Sequence, residues 1–467
     1  MRADREKVRL RTIAFGISPS PGTLGEGRGE GSSVRQEHLI VEKGPSPYPS
    51  PRVPGEGTKN ATRWVRLVFI VGVLTGLVYL HSNWFHPPTA FSEEEIVGAH
   101  LARGDGFVSP FMDSAGAPPS AWCPPVYPMV VGAIYRLLGL RTPMATMAIL
   151  TFGVFCRAVA AAGVYGLGRQ LFSQSAGLLA ASLFLLNPIF IHSIGYGWDN
   201  LLGLAMFLWL LMAAFSEGVS PIVLGAGAGL LLLTNAAYGL AIPVLLFIAA
   251  RRWVGYRILI FAATLLLTLL PWTIRNYAQF DRLLFVRGNL WTELWLGNQP
   301  AGTGWMTLDS LASHPSVDRV NHDEVIALGE SQYAQICRQR FMAEWRADPM
   351  GFVERSANRA AYLVVGEPGR QGAALRCILA AFGLSGAWAF VRAKHPARWV
   401  ALAAVMAVAP YAVTQVHDRY LLPVQAVLAL CAAGVCDFLL LILLPKAIAY
   451  GHFRSGPLSR YSGRGIG

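Results

Sequence analysis

PIVLGAGAGLLLLTNAAYGLAIPVLLFIAA, residues 221 to 250, runs for thirty residues without a charge. A hydrocarbon core of about 30 Å is crossed by about 20 helical residues. The stretch is therefore either one long tilted helix or two short ones broken near Thr234 and Asn235. The choice fixes the parity of every later span, and with it the face on which each polar loop lies.

The rest of the chain has the same character. Of 467 residues 54% are hydrophobic and 14% charged, against roughly a quarter charged in a soluble domain. Besides 221–249, apolar runs fall at 67–85, 125–140, 144–168, 176–194, 201–215, 256–273, 373–391, 397–415 and 421–444. These describe an all-α polytopic membrane protein. Cytoplasmic loops collect Lys and Arg, and this bias decides the parity. With the N-terminus inside and 221–249 counted once, the inside segments carry Arg63, Arg66, Arg136 and Arg141. They also carry Arg251, Arg252, Arg257, Arg392, Lys394, Arg398, Lys446, Arg454, Arg460 and Arg464. The short outside turns carry Arg169 and Glu217. Counting the stretch twice moves Arg392 to Arg398 outside. The expectation is ten spans with both ends cytoplasmic, which uses the net charge of +12 without any nucleic-acid partner.

Residues 1–62 are rich in Gly, Pro and Ser and contain a short repeat, PSPGTLGEG at 19–27 and PSPRVPGEG at 49–57. Such composition buries too little surface to offset chain entropy, so a disordered cytoplasmic tail is expected there. The first apolar run lies too far from the start for a signal peptide, and a mis-set start site is the other reading of this segment. Residues 63–445 form the membrane domain, with outer loops at 86–124 and 274–372, and 446–467 a second cytoplasmic tail. The six cysteines form no CxxC pair, so neither zinc nor a disulfide framework is signalled. Only Cys123 and Cys337 fall outside the spans, and a bond between them is left open.

Polar function collects on loops presented by a rigid scaffold, and four stretches share the outer side. In FSEEEIVGAHLARGDGF (91–107), Glu93, Glu94 and Glu95 begin a short interfacial helix with Ile96, Val97, Ala99 and Leu101 on one face. The acids are either its solvated start, suited to the helix dipole, or include a general base facing a polar cavity. CPPVYPMVVGAIYRLLG (123–139) reads as a proline-stiffened start to a span. LLPWTIRNYAQF (269–280) places Arg275 one turn beyond an interfacial Trp272, as a snorkelling side chain or a phosphate ligand. VHDRYLLPV (416–424) puts Arg419 at a span mouth between His417, Asp418 and Tyr420, as an Arg–Asp pair or a second phosphate ligand. His314, Asp318 and His322 are spaced by four, but Pro315 biases His314 away from helical geometry, so no metal site is expected. No nucleotide-binding glycine pattern, GxSxG or HExxH occurs.

In order and sidedness these stretches resemble the polytopic GT-C glycosyltransferases, in particular bacterial relatives of the dolichyl-phosphate-mannose–protein mannosyltransferases and the lipid A aminoarabinose transferases. The resembling elements are SEEEIVGAHLARGDGF, PPVYP, PWTIRNY, LWLGNQP (294–300), GESQYAQICRQRFMAEWRADPMGFVER (329–355) and DRYLLPV. They cover most of residues 65–440. The resemblance implies a GT-C-like bundle of about ten transmembrane helices in a bacterial inner membrane, with two periplasmic loop segments. It implies a sugar donor on polyprenyl phosphate and a lipid, polysaccharide or protein acceptor on the periplasmic side. An inverting displacement would use a base from Glu93, Glu94 and Glu95, with Glu94 favoured. Arg275 and Arg419 would face the lipid phosphate, Tyr127, His417 and Tyr420 would line the substrate, and neither metal nor other cofactor is implied. The chain departs from the family in offering glutamate where aspartate is common, and in reading LLTNAAYG where an arginine–proline pair is common. A flippase and a ligase of lipid-linked saccharides are the competing readings.

Overall fold

The computed structural model describes residues 56–82, 92–299, 302, 304–307, 311–367 and 372–443. The tails expected over 1–62, apart from 56–62, and over 446–467 lie outside the described residues. The first helices are α1 (Glu56–Ser82), α2 (Glu93–Arg103), α3 (Val126–Leu138), α4 (Pro143–Leu171) and α5 (Gln174–Leu186). Next come α6 (Pro188–Tyr196), α7 (Asn200–Ala214), α8 (Pro221–Thr234), α9 (Ile242–Ala250) and α10 (Gly255–Phe280). The long loop contributes α11 (Leu290–Gly297), α12 (Arg319–Leu328), α13 (Glu330–Ala347) and α14 (Pro349–Val365). The chain closes with α15 (Ala373–Arg392), α16 (Ala397–Val413) and α17 (Leu422–Leu443). Among the described residues there is no strand, and the protein is an all-α polytopic membrane protein.

Five segments are each long and apolar enough to cross a membrane: Thr62–Ser82 of α1, α4, α10, α15 and Asp418–Leu440. Helices α5 and α6 pass that test as a pair, bent by 52°, where Asn187 ends one helix and caps the next. Burial orders the bundle. In α4 and Asp418–Leu440, 61% and 83% of the apolar window is buried, against 22% in α1 and in α10. Thus α4 and α17 are central, while α1 and α10 turn leucines toward lipid. Small residues let the central helices touch. A side chain on Gly168 would come within 2.7 Å of Gly177, and one on Gly383 within 2.7 Å of Leu428. The buried Arg157 of α4 donates to the carbonyls of Gly72 and Leu185 and to Thr75 Oγ1, joining α1, α4 and α5 through backbone dipoles.

The thirty-residue stretch resolves into two passes. Asn235 is extended (φ −151, ψ 111) and stops α8, and its side chain accepts from Ala237 N to start a 3₁₀ turn, Ala236–Ala241. The chain then returns along α9 until Arg252 Nη1 donates to Ala214 O at 3.3 Å. Both ends of the stretch therefore lie at the level where α7 ends. In agreement, α8 runs parallel to α10, with Gly225 against Phe261 and Gly229 against Leu265. The returning arm runs antiparallel to α16, with Asn235 meeting Tyr411 and Phe247 meeting Trp399.

The expected span at 125–140 is not a pass. Helix α3 folds back on α2, where side chains on Gly98 and Gly132 would come within 2.7 Å of Val131 and 2.9 Å of Leu101. Arg141, just past α3, bonds Glu95 and Asp113. Its apolar pattern serves a helix-on-helix contact at thirteen residues, about 20 Å long. Arg136 and Arg141 thus lie on the loop face, not opposite it.

The two differences offset. Among the described residues the bundle is still crossed ten times, by α1, α4, α5–α6, α7, α8, α9, α10, α15, α16 and α17. The short turns also sort more cleanly than expected. Phe172, at the end of α4, stacks on His395 between α15 and α16 at 5.2 Å. Arg169 therefore joins Arg251, Arg252, Arg392, Lys394 and Arg398 on the face opposite the loops.

Candidate active site

Ser92 starts α2 by accepting from Glu95 N at 3.1 Å, and Gly104 ends it in the left-handed region at φ 94. Consecutive residues on a helix point about 100° apart, so Glu93, Glu94 and Glu95 meet three different surroundings. Glu95 faces α3, where Arg141 holds its two oxygens at 2.9 and 3.1 Å and Tyr135 donates at 2.5 Å. Glu93 faces the long loop. It accepts from Trp122 Nε1 at 2.7 Å and pairs with His314 Nε2 at 3.3 Å. His314 Nδ1 accepts from Ser316 N at 3.1 Å, so the ring proton sits on Nε2 and is donated to Glu93.

Glu94 is different. Its half-buried carboxylate has no hydrogen-bond partner among the described residues. It shares a recess with Cys123, Tyr127, Asp199 and Arg419, whose ionisation it influences. Asp199 sits in the turn between α6 and α7, near Asn235, whose polar side chain lowers its pKa and which reverses the chain after α8. Burial, with Glu94 close by, raises the Asp199 carboxyl above its usual range, against the opposing pull of Arg419 and Arg287. Burial also raises Glu93, opposed by His314 and reinforced by Glu94 and Glu293. Carboxylates crowded in little water disfavour their own charged forms.

The cations come from two directions. Arg419 lies on the 3₁₀ turn Asp418–Leu421. Its guanidinium is sandwiched between Trp198, at 3.6 Å from the ring centre, and Tyr420, at 4.8 Å. Nη2 donates to Tyr420 OH at 2.7 Å, while the buried Nε has no hydrogen-bond partner. His417 Nδ1 accepts from Arg419 N at 3.4 Å, which sets the turn. Arg287 donates to Glu293 at 2.9 Å, and Gln415 holds the other oxygen of Glu293 at 3.1 Å. Tyr411, Tyr420 and Glu93 all act on the charge of Arg287, so it contributes to the field around Arg419.

Of the residues expected from sequence, Glu93, Glu94, Tyr127, Arg419, His417 and Tyr420 converge here. Glu95 is turned away. Arg275 does not join: Nη1 donates to Ser120 O at 2.5 Å and Nη2 to Phe107 O at 2.6 Å, bracing the first loop against Trp272. Asp199, Asn235, Arg287 and Glu293 belong to the recess but were not expected in it. Asp199 follows an apolar run and reads as an intramembrane charge, and nothing in the local pattern marks Arg287. His314 and His322 have separate partners, Glu93 and the carbonyl of Phe111. Among the described residues, no three His, Cys, Asp or Glu side chains converge closely enough to hold a metal ion. Cys123 and Cys337 are free and buried.

No family profile matches the chain, and no curated protein matches it. Among solved structures it is similar to the oligosaccharyltransferase AglB of Archaeoglobus fulgidus, in complex with an inhibitory peptide and a dolichol-phosphate. Identity is 13%, the TM-score is 0.50, and the match covers 86% of this chain and 53% of that one. The fold is GT-C. ArnT of Cupriavidus metallidurans, bound to undecaprenyl phosphate, matches at 16% identity and a TM-score of 0.36, over 80% of this chain and 78% of its own. The chain spans about half the length of AglB. Glu94 on α2, Asp199 in the turn between α6 and α7 and Arg419 in the turn between α16 and α17 bring the recess together from three parts of the chain.

Proposed function

We propose that the protein is an integral membrane glycosyltransferase that takes a sugar from a polyprenyl-phosphate donor and passes it to a hydroxyl acceptor on the loop face. The observation that carries this reading is the Glu94 carboxylate, without a hydrogen-bond partner among the described residues and near enough to Arg419 for its charge to act there. Glu94 takes the proton of the acceptor hydroxyl as its oxygen bonds to the anomeric carbon. The bond from that carbon to the phosphate oxygen breaks, and configuration inverts. The departing polyprenyl phosphate gains negative charge, which the Arg419 guanidinium neutralises with its unpartnered Nε turned to the phosphate, with Arg287 nearby. Guanidinium suits this role because its planar fork matches phosphate oxygens and never loses its charge. Asp199 keeps Arg419 and Asn235 in register, and Tyr127 and His417 bound the sugar. Arg275, engaged by two carbonyls, acts by shaping the loop that carries Trp122.

The bias of Lys and Arg toward the turns opposite the loops supports a cytoplasmic location for that face and a periplasmic one for the recess. The membrane is then a bacterial inner membrane. AglB, solved with a dolichol-phosphate, supports a lipid-phosphate donor through its fold alone.

The test is transfer by the purified protein from a panel of labelled polyprenyl-phosphate sugars to membrane extract, comparing wild type with Glu94→Gln. Transfer from one donor, lost in a folded Glu94→Gln, supports the reading. Movement of donor across liposomes without transfer would instead fit a flippase, a reading favoured by the 52° break between α5 and α6, since carriers place polar groups at broken helices.

A further inference from the structure

The loop face also holds a cavity of about 200 Å³ that neither Glu94 nor Arg419 lines. One wall is a single side of α13, bearing Glu330 and Arg338, and the other is the segment after α10, bearing Phe280, Arg282 and Trp291, with Ala121 at the back. Its charge is uneven. Arg282 and Arg338 are exposed at the rim. Neither pairs with a carboxylate among the described residues. Arg338 lies over the Trp291 ring at 5.0 Å, and Arg282 reaches the amide oxygen of Gln335. The acid present, Glu330, points inward and accepts from Ser120 Oγ at 2.5 Å and Ala121 N at 2.8 Å. Desolvation pushes it up to about 7, so near neutral pH it offsets only part of the positive charge.

The surroundings name the phase this cavity opens onto. Leu283, Phe285 and Leu290 are 64%, 53% and 56% exposed, next to the arginines and just beyond the apolar end of α10. A segment with bare apolar side chains beside long cationic ones suits the interfacial layer, where the first meet acyl chains and the second meet phosphates.

We propose that this cavity binds the phosphate headgroup of an anionic lipid in the loop-face leaflet, with Arg282 and Arg338 donating to its oxygens and Trp291 flanking it. The inference rests on the membrane embedding of the loop face and not on the transferase reading. It is tested without donor or acceptor. Full-length protein in micelles is titrated calorimetrically with dihexanoyl phosphatidic acid. Saturable binding is expected, weakened about thirtyfold by Arg282→Gln with Arg338→Gln and unchanged by Arg419→Gln. Both substituted arginines are exposed, so folding is not at stake, and thermal unfolding of the double variant verifies this. Binding that survives the double substitution, binding lost with Arg419→Gln, or no saturable binding would each overturn the proposal. Displacement by inorganic phosphate at an equal concentration would also overturn it, by assigning the site to a free ion. Failure of every sugar-transfer assay leaves this measurement untouched, so the two readings fail separately.

Discussion

Arg141 grips both oxygens of Glu95, at 2.9 and 3.1 Å, from the far end of the helix that follows. That one pairing turns α3 back onto α2, holds Arg141 on the loop face and removes one of three adjacent glutamates from the recess. It separates residues that sequence spacing makes look interchangeable.

Glu94→Gln should lower transfer by about 10²–10⁴-fold, the range of a positioned base, with the melting temperature unchanged. Glu95→Gln should do the reverse. It leaves Arg141 and Tyr135 short of an acceptor, at about 1–3 kcal/mol, and lowers the melting temperature more than the rate per folded molecule. Thermal unfolding in detergent beside single-turnover rates separates the two, and equal losses of rate would contradict the separation.

Arg419→Lys keeps the charge but loses the planar fork, and should reduce kcat/KM for the lipid donor by about 10²-fold. Arg275→Lys should act through stability instead, because its partners are the carbonyls of Phe107 and Ser120. If the Arg275 variant loses rate with its unfolding temperature intact, the phosphate role belongs to Arg275 after all.

Side-specific labelling of single cysteines tests the path of the chain. Cysteines placed at Arg136 and Asp113 should react with an impermeant thiol reagent from one side of sealed vesicles, and those at Arg169 and Glu217 from the other. Labelling of Arg136 from the side opposite Asp113 would restore α3 as a crossing helix.

Glu330 should make stability fall as pH rises. Its folded-state value of about 7 lies above the roughly 4.3 of an unfolded glutamate. The folded form therefore holds its proton more tightly, and ionising it between about pH 4.5 and 7 costs more folded than unfolded. The loss is complete above about 7. The melting temperature of wild type should drop from pH 5 to pH 8, and that of Glu330→Gln should drop less. Parallel curves would exclude Glu330 as a source.

The number of crossings and their common face were legible in sequence because hydropathy and charge bias are summed over many residues. Which segments cross was less so. Residues 125–140 are as apolar as a short span, and only a tertiary pairing, Arg141 with Glu95, shows otherwise. In 221–250 the break at Asn235 was visible, but a reversal and a kink share the same local signature. Glu94 and Arg419 could be proposed from sequence because they stand in dense polar motifs. Asp199 and Arg287 could not, since each acquires its setting only when distant turns meet.

The reversal at Asn235 also shapes the lipid around the protein. The fourteen residues of α8 rise about 21 Å, well short of a hydrocarbon layer of about 30 Å. Such mismatch is met by local thinning of the bilayer. Thinning of that kind beside α8 would bring the water boundary toward Asn235. The proposed donor, a phosphate tethered to a long isoprenoid, would then reach the recess from the side, its tail still in oil and its charge never drawn through a full leaflet.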